Sequence, residues 1–242
     1  MKKLLVIVLC LLLVLSTLCG CQKTVSKGTT ETQETAKVTE NKGETKMNES
    51  KDTSKLLDIE DIKAPGVEEV NKDYQLRDPK NGDKIAYLHT SYGDIVFRFL
   101  DEVAPLAVNN FIALAEASRY DNTIFHRVIN NFMIQGGDYT NFNGTGGVSA
   151  YGKEFKNETS EFAKNITGAV AMANAGADTN GSQFYINQVD NNYLDGGYTV
   201  FGQVIEGMDV VNDIAQVKTG ANDKPAKDVV LESVEIDEYV EH

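Results

Sequence analysis

An all-β barrel or sandwich is the fold class this sequence predicts for its C-terminal two thirds, on three observations. Short strand-like runs recur from Lys84 onward, Gly and Asn clusters separate them, and only two stretches carry helical apolar spacing. Lys84–Thr90 (KIAYLHT) and Asp94–Leu100 (DIVFRFL) read as a hairpin around Ser91-Tyr92-Gly93. Pro105 opens PLAVNNFIALAEAS, whose apolar residues Leu106, Phe111 and Leu114 suit an amphipathic helix. Strands are then expected at Thr123–Ile129, Phe132–Gln135, Gly168–Ala173, Gln183–Ile186 and Thr199–Ile205. A second helix over Met208–Gln216 and a last strand over Val229–Ile236 complete a domain of about 160 residues, a normal size for one core.

What precedes that domain is of another kind. Lys2 and Lys3 lead an apolar stretch, Leu4–Leu18, with the length of a secretory signal and too short to span a bilayer comfortably. Leu18-Cys19-Gly20-Cys21 resembles a bacterial lipobox, in which the last cysteine receives lipid as a thioether and becomes the new N-terminus. Cys19 fits that role poorly, because bulky Leu18 would then precede the cleavage point. More than one acyl chain on Cys21 would anchor the protein stably. The expected organisation is therefore a signal peptide over 1–20, a lipidated Cys21 with a largely disordered tether over 21–80, and a folded domain over 81–242. Gln22 to about Asp58 has almost no large apolar residue, too few to offset the entropy of ordering it. A flexible tether of about 50 residues has an r.m.s. reach of roughly 40 Å. Leu56–Leu76 has scattered apolar residues and is open to two readings, packed on the domain or part of the tether.

Composition narrows the chemistry. Cys10, Cys19 and Cys21 are the only cysteines, so the exported domain has neither a disulfide nor a thiol nucleophile. Residues 84–242 carry 10 basic and 22 acidic side chains, a net of −12, which repels phosphate backbones and excludes nucleic acid as an expected partner. The acidic surface reads most simply as a solubility feature. Gly144-Thr145-Gly146-Gly147 lacks the Lys-Ser/Thr of a phosphate-binding loop. His126 has no cysteine or spaced carboxylates beside it, and reads as a packed or pocket-edge histidine before a metal ligand. His89 and His242 have no context that suggests a role, and the sequons at Asn157 and Asn165 read as chance.

Two segments are far from random: FHRVINNFMIQGGD (Phe125–Asp138) and MANAGADTNGSQFYI (Met172–Ile186). If the arms on either side of Asn130-Asn131 pair as a hairpin, Arg127 and the wall Phe132-Met133 can face the same way. Gln135 and Gln183 add neutral amides, and the small Ala173 and Ala175 leave room beside Asn174 for an extended peptide. The set combines a cation, an apolar hollow and hydrogen-bonding groups, without a nucleophile–base pair.

These residues are similar to the cyclophilin family of prolyl isomerases, over about Lys84–Glu238, and Asn143–Gly147 (NGTGG) and Leu194–Val204 (LDGGYTVFGQV) match further blocks in order. The resemblance implies a mainly β fold, a closed eight-stranded antiparallel barrel capped by two helices, with a peptide groove on its outer face. It implies that Arg127 is catalytic. Phe132, Met133, Tyr185 and Leu194 would line a proline pocket, and Gln135, Ala173, Asn174 and Gln183 would hold the substrate backbone. Gly144, Thr145 and Ala175 would belong to the adjoining groove, and His126 and Tyr198 would sit beside the pocket. Tyr185 stands where the family usually has Phe, which is expected to put a hydroxyl at the pocket and alter its fit. Tyr193 and Tyr198 stand where many eukaryotic members carry Trp and His, so weakened cyclosporin binding is expected with isomerase activity kept. No cofactor is expected. The expected partners are proline-containing exported polypeptides and the membrane through its lipid anchor alone, for a monomer on the extracytoplasmic face of the cell membrane. A tethered binding module, holding extended chains with turnover incidental, is the rival reading.

Overall fold

The computed structural model describes residues 57–62 and 70–241. Among them run β1 (Lys84–Thr90), β2 (Gly93–Phe99), α1 (Pro105–Glu116), β3 (Thr123–Ile124), β4 (Arg127–Ile129), β5 (Met133–Gly136), β6 (Ala169–Met172), β7 (Phe184–Asn187), β8 (Val200–Glu206), α2 (Met208–Ala215) and β9 (Val230–Glu238). The signal-like segment and Cys21 lie outside the described residues. The strands form one antiparallel sheet in the order β3-β9-β1-β2-β8-β6-β7-β5-β4. Its two edge strands are separated in sequence by only Phe125 and His126, so the sheet must curl back on itself.

That junction corrects the expected closed barrel of eight strands. Thr123–Ile129 forms two strands where one was expected: β3 pairs with β9 and β4 pairs with β5. The chain changes partners at Phe125-His126, whose side chains turn inward to 1% and 5% exposure. No ladder joins β3 to β4, and the sheet's edges meet through the covalent chain. The fold is thus mainly β, a curled antiparallel sheet of nine strands with two helices.

Aromatic side chains fill the interior. Phe97 lies 4.9 Å from Phe99 and 5.4 Å from Phe111, ring centre to ring centre, and Phe111 reaches Tyr120 at 4.8 Å and Phe184 at 5.3 Å. Most of these pairs are edge-on, the arrangement that aromatic quadrupoles favour. Phe111 comes from α1, which buries Leu106, Ala107, Asn110, Phe111, Leu114 and Ala115, a stripe at helical spacing. Pro105 sets the first turn of α1, but Ala104 at the cap position offers no side-chain acceptor. The Glu158 carboxylate caps that end instead, accepting from the N–H groups of Leu106 at 3.1 Å and Ala107 at 3.0 Å. At α2 the cap is Gly207 with φ +86, where a Cβ would lie 2.3 Å from the Asp94 carbonyl oxygen.

The stretch before β1 is built into this core. The Leu57 N–H donates to the Ala150 carbonyl, and Leu57, Ile59 and Ile62 pack on the interior. Tyr74 is 3% exposed and Gln75 4%. Buried Arg98, from β2, donates to the Tyr74 carbonyl at 2.7 Å and the Gln75 carbonyl at 3.3 Å. Gln75 in turn bonds Gln203 of β8 and both the N–H and the carbonyl of Lys164.

Candidate functional site

Strand alternation decides which side chains reach the outer face. Across β4, β5, β7 and β6, one row of opposed residues runs Val128, Ile134, Ile186, Val170, and all four are buried in the core. The next row must face the other way. It runs Arg127, Gln135, Tyr185, Ala171. A cation, an amide, an aromatic ring and a methyl group thus lie side by side on one face, at the spacing of direct cross-strand neighbours.

Arg127, Gln135 and Tyr185 of that row form one wall of a cavity of about 260 Å³, which Phe132, Met133, Ala173, Asn174, Leu194 and Tyr198 also line. The tight turn at Asn130-Asn131, with Asn131 at φ +58, brings Phe132 and Met133 back beside Arg127. Leu194 comes from the turn after β7. Its place is fixed through Asp195, which accepts from the N–H and side-chain amide of Asn165. The Tyr185 ring lines the cavity, and its hydroxyl donates to Asn165 Oδ1 at 2.7 Å. Burial pushes the pKa of that hydroxyl well up, so it stays a donor at neutral pH. The hydroxyl that distinguishes Tyr185 from Phe is therefore spent behind the wall.

A second cavity, of about 410 Å³, shares Gln135, Ala173 and Asn174 with the first and adds Gly144, Thr145, Ala175 and Gln183. Amides organise the seam between them. Arg127 Nη1 lies 3.5 Å from Gln135 Oε1, Gln135 Nε2 donates to Gln183 Oε1 at 3.0 Å, and Gln183 Nε2 donates to the carbonyls of Gly144 and Gly146. Asn174 Nδ2 donates to the Gly197 carbonyl at 3.0 Å, linking the two rims.

His126 lines neither cavity. It lies beneath Gly144, where a Cβ would come 2.7 Å from its ring, and neither ring nitrogen has a hydrogen-bond partner. Burial holds its pKa below the usual value, and nearby Asp138 pulls the other way. The ring therefore packs as a neutral floor under the groove.

Sequence reasoning left out three supports of this site. Asp138 Oδ1 accepts from the N–H groups of Thr140 and Asn141, and Oδ2 from those of Asn143, Gly144 and Gly146, which shapes the whole loop behind the second cavity. Burial alone would raise its pKa, but these backbone donors outweigh it and hold the carboxyl at about 2. Asp138 did stand inside the distinctive first segment, so a signal existed. Asn165, behind Tyr185, and Asp223, 3.5 Å from Arg127 Nε, carry no local signal at all. Among the described residues no three His, Cys, Asp or Glu side chains converge as a metal site.

Residues 85–236 match the family model described as cyclophilin type peptidyl-prolyl cis-trans isomerase. A protein from Staphylococcus saprophyticus that carries the name peptidyl-prolyl cis-trans isomerase is 45% identical, over 67% of this chain and 96% of its own length. One of that name from Staphylococcus aureus is 42% identical, over 70% and 98%. A crystal structure of a Cryptosporidium parvum cyclophilin type peptidyl-prolyl cis-trans isomerase superposes with a TM-score of 0.62 at 35% identity, over 64% of this chain and 98% of that one. A crystal structure of that protein in the presence of the dipeptide Ala-Pro gives 0.61 at 36%. With its curled sheet, two helices and matched segments, this chain belongs to the cyclophilin-type peptidyl-prolyl cis/trans isomerases.

Proposed function

We propose that X–Pro isomerisation occurs in the 260 Å³ cavity beside Arg127, on exported polypeptides outside the cytoplasmic membrane. The observation that carries the assignment is the opposed row Arg127–Gln135–Tyr185, which sets a fixed guanidinium against an apolar hollow. Rotation about X–Pro crosses a barrier of about 18–20 kcal/mol because the amide loses resonance at the twisted state. No bond breaks, so the enzyme need only hold the twisted amide better than the planar forms.

Phe132, Met133, Tyr185 and Leu194 grip the proline ring. Gln135, Asn174 and Gln183, with Ala173 leaving room, hold the backbone of the chain. Residues farther from the proline extend into the second cavity past Gly144, Thr145 and Ala175. Arg127 donates to the prolyl nitrogen as its lone pair localises, which opposes return of conjugation, and the apolar walls strengthen that donor by excluding water. A preference of about 5–6 kcal/mol for the twisted amide corresponds to an acceleration on the order of 10⁴. The Ala-Pro dipeptide present with a related structure supports a proline-containing ligand. The lipobox resemblance at Cys21 supports an anchored enzyme on the outer face of the membrane, meeting chains as they emerge.

The test is a protease-free proline-isomerisation assay of wild type against Arg127→Ala. A loss in kcat/KM of about 100-fold or more is expected for a donor used at the transition state. Equal rates would overturn the assignment of Arg127.

A further inference from the structure

Gln135 is not the only group that holds Arg127. The Nε of Arg127 lies 3.5 Å from the Asp223 carboxylate, which comes from the connection between α2 and β9. That connection is closed on itself. The Gly220 N–H donates to the Lys224 carbonyl at 2.8 Å, the Lys224 N–H returns to the Ala221 carbonyl at 3.3 Å, and Thr219 bridges Pro225. Lys224 Nζ lies 3.6 Å from the Asp228 carboxylate. Within it Asn222 and Asp223 are both left-handed, at φ +59 and +58. Asn and Asp are the non-glycine residues that enter this region most readily, and two in succession shape the turn that presents the Asp223 carboxylate.

We propose that Asp223 is a positioning residue for the isomerase reaction. Its carboxylate holds Nε of Arg127 while Gln135 receives Nη1, so the planar fork is fixed on two edges and its orientation toward the proline cavity is set. This rests on the role given to Arg127 above. The pair is 43% and 48% exposed, and at that exposure an ion pair adds little to stability. Its effect belongs to turnover, where a small misplacement of a catalytic group is costly.

Asp223→Asn removes the charge and tolerates the left-handed backbone, and Asp223→Gly removes the side chain without steric strain at positive φ. Each is expected to lower kcat about tenfold, a misplacement effect, with KM nearly unchanged. In an Arg127→Ala background neither should cause a further loss, since the group it positions is gone. The Arg127 Nε–H signal in NMR should be sharp in wild type and broadened by exchange in both variants. Wild-type kcat in Asp223→Asn and Asp223→Gly, with Arg127→Ala impaired, overturns this inference alone. The same loss in the Arg127→Ala background also overturns it, by placing the action of Asp223 elsewhere. Wild-type rates in Arg127→Ala would overturn the reading of Arg127 and this inference together.

Discussion

Tyr185 divides its labour between two environments: its ring meets the cavity and its hydroxyl meets buried Asn165. Tyr185→Phe keeps the ring and removes one buried hydrogen bond, so a stability loss of about 1 kcal/mol is expected. Urea denaturation of the two proteins measures it, and isomerase activity should survive the change. Asp138 sets a pH limit. Its folded pKa of about 2 lies below the unfolded value, so its contribution is complete above pH about 4 and lost as pH falls toward 2. Asp138→Asn should be less stable than wild type at pH 7 by about 2 kcal/mol, and the gap should narrow steadily through that acid window. Denaturant midpoints taken from pH 7 down to pH 2 test both statements. At the cavity rim, Tyr193 is 74% exposed and stacks on Phe132 with ring centres 6.2 Å apart. A phenol there covers less apolar surface than an indole, so cyclosporin should bind weakly while turnover persists. A titration that finds tight, fully inhibitory binding defeats that expectation.

Among the elements, the segment from Val70 to Arg77 departs most from a tether. Tyr74 and Val70 pack in the same apolar cluster as Met133 and Tyr185, and the carbonyls of Tyr74 and Gln75 accept from buried Arg98. Cutting the chain just before Lys80 would take the Tyr74 and Gln75 carbonyls from a buried guanidinium that keeps the Phe99 carbonyl, and would leave the cluster open on one side. A loss of about 3 kcal/mol or more is expected relative to a chain starting near Leu57, because buried charged donors are costly to strip. Thermal unfolding of the two lengths decides it. The N-terminus of α1 makes a parallel case, since its acceptor comes from Glu158, far along the chain. Glu158→Ala should cost about 1 kcal/mol, as removal of other N-terminal caps does.

For the whole molecule, catalysis and location are separable. The proposed site lies wholly within the described domain, while the proposed anchor lies at Cys21. Cys21→Ala should move the protein from the membrane fraction to the soluble one and leave kcat/KM unchanged, which fractionation and the isomerase assay check together. Retention at the membrane would show that something other than the lipid holds it there.

Much of the site was legible in the sequence because strand alternation is a local rule. Once Phe125–Asp138 was read as a hairpin, Arg127 and Gln135 had to share a face, and Phe132-Met133 had to return beside them. The hairpin over Lys84–Leu100 and both helices were equally readable from periodicity. Long-range partners were not. Nothing near Asp223, Asn165 or Glu158 announces Arg127, Tyr185 or α1, because those contacts join segments that only the folded sheet brings together. The stretch that holds Tyr74 and Gln75 stays open to two readings in sequence for the same reason: these two residues gain their burial from β2 and β8. The break of Thr123–Ile129 into two strands was also beyond local pattern, since a strand does not encode which neighbour it pairs with at each end. Local pattern sets the residue types of the groove and the alternation that exposes them. What braces each of them emerges only on folding, because hydrogen bonds and ion pairs depend on distance in space and not on distance along the chain.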